Sequence, residues 1–369
     1  MKTIKYLLLI TIILSLTSCG IIDQTEISGL SVVEMLAIDE TDDGEISASI
    51  LSRDLKDEEG EGSKSFLTAT ESSFSALERE LQKRYEKKLF WGHVDYFIFG
   101  EAVARGNIYK HLNFFSNDPH FRMNAYVYLT DRKTTELLEK SEEGGYYLPD
   151  YIKHFSQTSQ LLSESSKMTL FDLIEKKESP IESFTIPRIS VMESEESITL
   201  RVDGYGIMKN GYLAGYLDNE QAKGYNILTN QMDDLIIDIN FMDNDVSLKQ
   251  LKSKTKITPI LEDNKLKKIK IDLETKSDIL EIRSTDGIKI LNYISELEHE
   301  QEKMLSAFIE STILKMKEYK ADIIKISKLY RRKFPENYNF DNWDDVIANL
   351  EFDINADCKI NRSYDSRGY

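Results

Sequence analysis

GYGIMKNGYLAGYLDNEQAKGYNILTN, residues 204–230, decides the fold class. Asn210-Gly211 separates two apolar runs, and that dipeptide accepts the positive φ angles that a two-residue hairpin turn requires. "SITLRVDGYGIM" (197–208) and "YLAGYLD" (212–218) are therefore expected as an antiparallel pair. Asp218 or Asn219 then offers a side-chain cap for a helix in "DNEQAKGYNILTN" (218–230). An antiparallel hairpin feeding a helix belongs to an α+β protein rather than to a doubly wound, two-lobed binding protein.

The same alternation extends upstream. Residues 30–54 read as two strands about Asp43-Gly44. "KDEEGEGSKS" (56–65) reads as a charged loop, and Phe74, Leu77, Leu81 and Tyr85 mark one face of a helix. "HVDYFIFG" and "RMNAYVYLT" are strands, with a helix between them that stops before Pro119. "EEGGYYLPD" (142–150) has the glycines and proline of a linker, and Tyr146 and Tyr147 within it are expected as exposed aromatics for a partner. Downstream, 233–283 reads as strands and 286–318 as the longest helix, with an apolar stripe through Leu297, Leu305, Phe308 and Ile313. The expected architecture is α+β, three mixed α/β modules, each a small sheet packed with helices. The modules are placed at 29–141, 142–200 and 201–369.

The N-terminus carries a different signal. Lys2 and Lys5 precede the apolar run Tyr6–Leu16, which is shorter than the ~20 residues of a membrane span. It fits a signal peptide over 1–18. The run ends Leu16-Thr17-Ser18-Cys19, the pattern of a bacterial lipobox, in which only a thiol can form the thioether that carries diacylglycerol. Cys19 is the expected lipidation site and 19–28 a tether, with the body outside the cytoplasm. Each buried CH₂ of such an anchor contributes ~0.8 kcal/mol.

Removing the signal with Lys2 and Lys5 takes the formal charge from −17 to −19. That balance excludes nucleic acid as a partner and leaves membrane attachment to the anchor rather than to a basic face. With Cys19 lipidated, Cys358 has no intrachain disulfide partner, and its alternating context reads as a strand. The five histidines, His93, His111, His120, His154 and His299, form no metal-binding spacing. No G-x-S-x-G elbow or G-x₄-G-K-[ST] loop occurs. "MDNDVS" lacks the glycine and closing glutamate of a calcium loop. No catalytic residue, cofactor or metal is expected, and the protein reads as a non-enzyme.

Several segments together carry a resemblance. Asp23-Gln24-Thr25-Glu26-Ile27 follows the lipid cysteine as a D-x-x-E-[IL] element, without the usual tryptophan directly after the cysteine. Gly92, His93, Gly100 and Glu101 sit in "LFWGHVDYFIFGEAVARGNI", and Asp118, Pro119, Arg122 and Asn124 in "SNDPHFRMNAYVYLT". The block at 204–230 follows, with Met208 in place of a common Phe, and then "YKADIIKISKLYRRKFPENY" before Trp343. In this order they resemble the Ger(x)C family, the lipoprotein C subunits of nutrient germinant receptors in spore formers. The resemblance implies a non-enzymatic subunit on the outer face of the spore's inner membrane. Its partners there would be a permease-like and a large integral-membrane subunit, and its fold three mixed α/β modules. An exported solute-binding lipoprotein serving a transporter is the alternative. The physics of the same residues gives them structural work: close packing for Gly100, Gly206 and Gly224, an Asp118–Arg122 ion pair, and a strand cap at His93.

Overall fold

The computed structural model describes residues 27–54, 63–161, 163–177, 183–194, 197–232, 235–283, 290–337 and 342–361. Cys19 and the Asp23–Glu26 element lie outside them, as does most of the 56–65 loop.

Among the described residues the strands gather into two sheets. The first has nine: β1 (Leu30–Glu40), β2 (Ile46–Asp54), β3 (Lys64–Glu71), β4 (Lys88–Phe90), β5 (Tyr96–Phe99), β6 (Tyr126–Thr130), β7 (Ser183–Glu193), β8 (Ile198–Lys209) and β9 (Tyr212–Leu217). Their order is β3-β2-β1-β5-β6-β7-β8-β9, with β4 beside the start of β1. β1, β5, β6 and β7 run parallel, and antiparallel hairpins flank them at both ends. The β8–β9 turn is the expected one: Asn210 and Gly211 both have positive φ, +53° and +84°.

Helices cover both faces of this sheet, so its central strands are buried throughout rather than alternating; all four residues of β5 are buried. On one face lie α1 (Phe74–Lys83), α2 (Glu101–Arg105), α3 (Tyr109–Asn117) and, beyond two further helices, α6 (Leu170–Lys177). They pack Leu77, Leu81, Phe115 and Leu173 against Leu36, Phe97 and Leu129. The two helices between, α4 (Thr134–Glu143) and α5 (Leu148–Leu161), cover the other face, with Leu137, Tyr151 and Ile152 on Met35, Ile98 and Tyr128.

β8 crosses residue 200, so the first sheet continues through the boundary drawn there from sequence. After β9 the chain forms α7 (Asn219–Leu228) and a four-stranded sheet, β10 (Ile236–Phe241), β11 (Asn244–Glu262), β12 (Lys265–Arg283) and β13 (Glu351–Asn361). Between β12 and β13 lie α8 (Ile294–Glu318), α9 (Ile326–Lys333) and α10 (Trp343–Asn349). The stripe Leu297, Leu305, Ile309, Ile313 and Met316 of α8 is buried with Ile269, Ile271 and Leu273 of β12. From Lys268 to Asp278 the opposite face of β12 is charged, alternating with buried residues.

α7 links the two sheets. Ala222, Ile227 and Leu228 share a core with Tyr205 and Leu217 of the first sheet and with the strands of the second. Within it, the Tyr205 hydroxyl donates to Asn226 Oδ1 at 2.7 Å, and Asn226 Nδ2 donates to the Ser163 carbonyl at 2.8 Å. These bonds satisfy polar groups in an apolar joint, where an unmet one would cost ~1–3 kcal/mol.

Candidate functional site

In sheets with parallel strands, ligands commonly sit beyond the strands' carboxyl ends. Here Asp39 and Glu40 close β1, Gly100 and Glu101 follow β5, and Asp131 and Arg132 follow β6. The Asp39 carboxylate accepts from Thr134 N and Thr134 Oγ1, both at 2.6 Å, and so holds the first turn of α4 against the end of β1. Burial raises its pKa above the ordinary value in spite of these bonds. Gly100 makes room for it, since a Cβ there would stand 1.8 Å from Asp39 Oδ1.

The neighbouring charges are similarly engaged. Glu101 pairs with Arg105 at 2.6 Å, and Arg132 pairs with Glu136 at 2.6 Å and Glu193 at 3.4 Å. Arg188 lies 3.6 Å from both Asp131 and Asp203, with its guanidinium 5.5 Å from the centre of the Tyr216 ring. His111 is buried 3.5 Å from Glu40, and desolvation lowers its pKa. These groups tie the strand ends to the helices that follow them. A nucleophile beside a base is not among them, and no group of three or more His, Cys, Asp or Glu suited to a metal occurs among the described residues.

The other residues singled out from sequence are also structural joints. Asp218 is the cap of α7 and forms a full capping box with Gln221. Gly206 faces Leu129, where a Cβ would come within 2.3 Å of Cδ1. Gly224 lets α7 approach α8 so closely that a Cβ would lie 2.1 Å from the Phe308 carbonyl oxygen. Cys358 is fully buried in β13, and burial pushes its thiol up to about 12, which leaves no thiolate for chemistry. His299 is exposed beside Glu302.

Three expectations need correction. Asp118 does not pair with Arg122: it accepts from His120 N at 2.9 Å and meets His120 Nδ1 at 2.8 Å, the turn two residues on being the nearest source of donors. Arg122 instead reaches Asp95 at 3.4 Å and His93 Nε2 at 3.3 Å. His93 accordingly ends a short 3-10 turn, Trp91–His93, rather than capping a strand.

The segment 142–150 is not a free linker, because α5 begins at Leu148 and Tyr146 and Tyr147 are half-buried. The Tyr147 hydroxyl donates to Glu34 at 2.7 Å, and its ring lies under Arg53 and Lys64. Arg53 in turn binds Glu34 at 3.0 Å and Asp150 at 2.8 Å. The tyrosines pin α5 to the first hairpin. Beside them, a pocket of about 380 Å³ is lined by Leu51, Leu138, Tyr146 and Phe66, the last 46% exposed. Phe66 was missed because β3 is a polar edge strand next to a charged loop.

Comparison with known proteins decides the family. A model of the spore germination protein N-terminal domain matches residues 23–191, and one of the spore germination B3/GerAC-like C-terminal domain matches 203–364. The chain belongs to the Ger(x)C family. Spore germination protein B3 of Bacillus subtilis (strain 168) is 23% identical over 355 residues, covering 94% of each chain. The crystal structure of the GerBC protein superposes with a TM-score of 0.59 at 19% identity, over 88% of this chain and 96% of that one. This Ger(x)C protein therefore shares that mixed α/β fold. The two family models meet at the β7–β8 hairpin, across which the first sheet is continuous.

Proposed function

We propose that this Ger(x)C protein is the non-enzymatic, lipid-anchored subunit of a nutrient germinant receptor. Cys19 would hold it on the outer face of the spore's inner membrane, beside a permease-like and a large integral-membrane subunit. The observation that carries the reading is the pair of spore germination family models, which together span nearly the whole body of the chain. The structure is consistent with it in two respects. Polar residues at the strand ends hold the following helices in place through hydrogen bonds and ion pairs, which gives them structural work in the fold. No helix among the described residues is long and apolar enough to cross a membrane, and the lipobox supplies an attachment of its own. The comparisons give no support to the solute-binding alternative.

Cys19→Ala tests the anchor. Spores carrying it are expected to lose the protein from the membrane fraction and to lose the drop in optical density that the cognate nutrient triggers. A variant that stays in the membrane fraction and germinates normally would remove the anchor from the account.

A further inference from the structure

A groove of about 560 Å³ runs between the C-terminal end of α7, the segment leading into α9, and β11. Tyr225, Ile323 and Leu329 provide its apolar floor, and Lys256, Lys328 and Arg332 its walls; no Asp or Glu is among its lining residues. In a chain of formal charge −17, a cationic recess calls for a cause. On other helices several lysines and arginines sit beside acids one turn away, as in Arg105–Glu101, Lys303–Glu300 and Lys315–Glu318. α9, ISKLYRRK, contains no acid at all.

Helix-dipole compensation explains basic residues in the last turn of α9. It does not explain Lys328, one turn earlier and four residues from Arg332, because like charges at that spacing destabilise a helix by ~0.2–0.5 kcal/mol. Nor does it explain Lys256, delivered to the same groove by β11. Lys256 lies opposite Asp272 in the β11–β12 register and acts on it through space, but the direct bond to that carboxylate, at 2.7 Å, comes from Lys270.

We infer that this groove binds a small organic anion, a phosphate or carboxylate carried on an apolar body. The volume falls in the ~300–1,000 Å³ range of ligand sites. The apolar body rests on Tyr225, Ile323 and Leu329, and the Arg332 guanidinium takes the anion in its planar fork, with Lys328 and Lys256 as further positive charge. The inference stands apart from the receptor reading, since it rests on the groove alone.

The test is calorimetric titration of the full-length chain, held in neutral phosphatidylcholine nanodiscs, with phenyl phosphate. Saturable binding is expected, weakened at least ten-fold by Lys328→Gln with Arg332→Gln and unchanged by Lys303→Gln on α8. Phenol and inorganic phosphate, each carrying half of the chemistry, are expected to bind at least ten-fold more weakly. Both substituted side chains are exposed, and a far-ultraviolet spectrum matching wild type keeps the comparison valid; Arg332→Gln alone is the milder second variant. Nanodiscs enriched in phosphatidylglycerol separate two sources of the same chemistry. Binding suppressed in those discs identifies a lipid headgroup as the occupant, and binding that persists identifies a soluble anion. No saturable binding in neutral discs, or equal binding by the double variant, overturns the inference.

Discussion

Gly224→Val is expected to lower the stability of the protein by about 3 kcal/mol or more, a large part of the ~5–15 kcal/mol that holds a typical domain folded. The cause is the crossing of α7 over α8. A Cβ at residue 224 would stand 2.1 Å from the Phe308 carbonyl oxygen and 2.3 Å from Thr312 Oγ1. The carbonyl belongs to the backbone of a 25-residue helix and cannot swing aside as a side-chain tip can. The helices would have to separate. That would stretch the 2.7 Å bond from Thr312 Oγ1 to the Gln221 carbonyl and open the core shared by Ala222, Ile227, Leu305 and Ile309. Alanine at the same position should act in the same direction but less, because it gains ~1 kcal/mol of helix propensity over glycine. Urea unfolding gives the result directly. A wild-type midpoint for the valine variant would mean that the helices do not approach this closely.

Asp322→Ala is the second large effect. Asp322, only 5% exposed, accepts from Ile326 N and Ser327 N, each at 2.7 Å, and so starts α9 from a buried position. Removing the carboxylate orphans two backbone donors at ~1–3 kcal/mol each, so a loss of about 2–4 kcal/mol is expected. The effect should also depend on pH, with a definite sign. Burial raises the Asp322 pKa above its ordinary 3.8, outweighing the bonds that favour the charged form. The native state thus holds the proton more tightly than the unfolded chain, and the stability this adds is fully present below 3.8 and lost as pH rises through the raised pKa. The gap between wild type and Asp322→Ala should be wider at pH 4 than at pH 7. A gap that widens toward neutral pH would contradict the desolvated environment described here.

Local features of the fold were legible in the sequence, and pairings between distant residues were not. The β8–β9 turn at Asn210-Gly211, the Asp218 cap and the buried face Phe74, Leu77, Leu81 each follow from neighbours within a few residues. β3 was obscured because KSFLTATE is an edge strand whose solvated residues dilute its pattern. The bounds of β11, Asn244–Glu262, were not legible within 233–283 because its first half alternates polar residues with few large apolar ones. The partnership of Asp39 with Thr134 joins positions 95 residues apart, and nothing near either one signals it. The same holds for Arg122, whose acid lies in the loop before β5, and for the groove, assembled from α7, β11 and α9. Tyr146 and Tyr147 misled because Gly144-Gly145 beside them reads as a linker, whereas the glycines form the turn that delivers both rings to the first sheet.

Affinity purification of the tagged full-length chain from solubilised spore membranes tests the central claim most directly. A germinant receptor subunit is expected to bring down two integral-membrane proteins in comparable amounts, one permease-like and one larger, and to lose both when Cys19 is replaced by alanine. Recovery of the chain alone, or with the membrane and ATPase components of a transporter, would contradict the account.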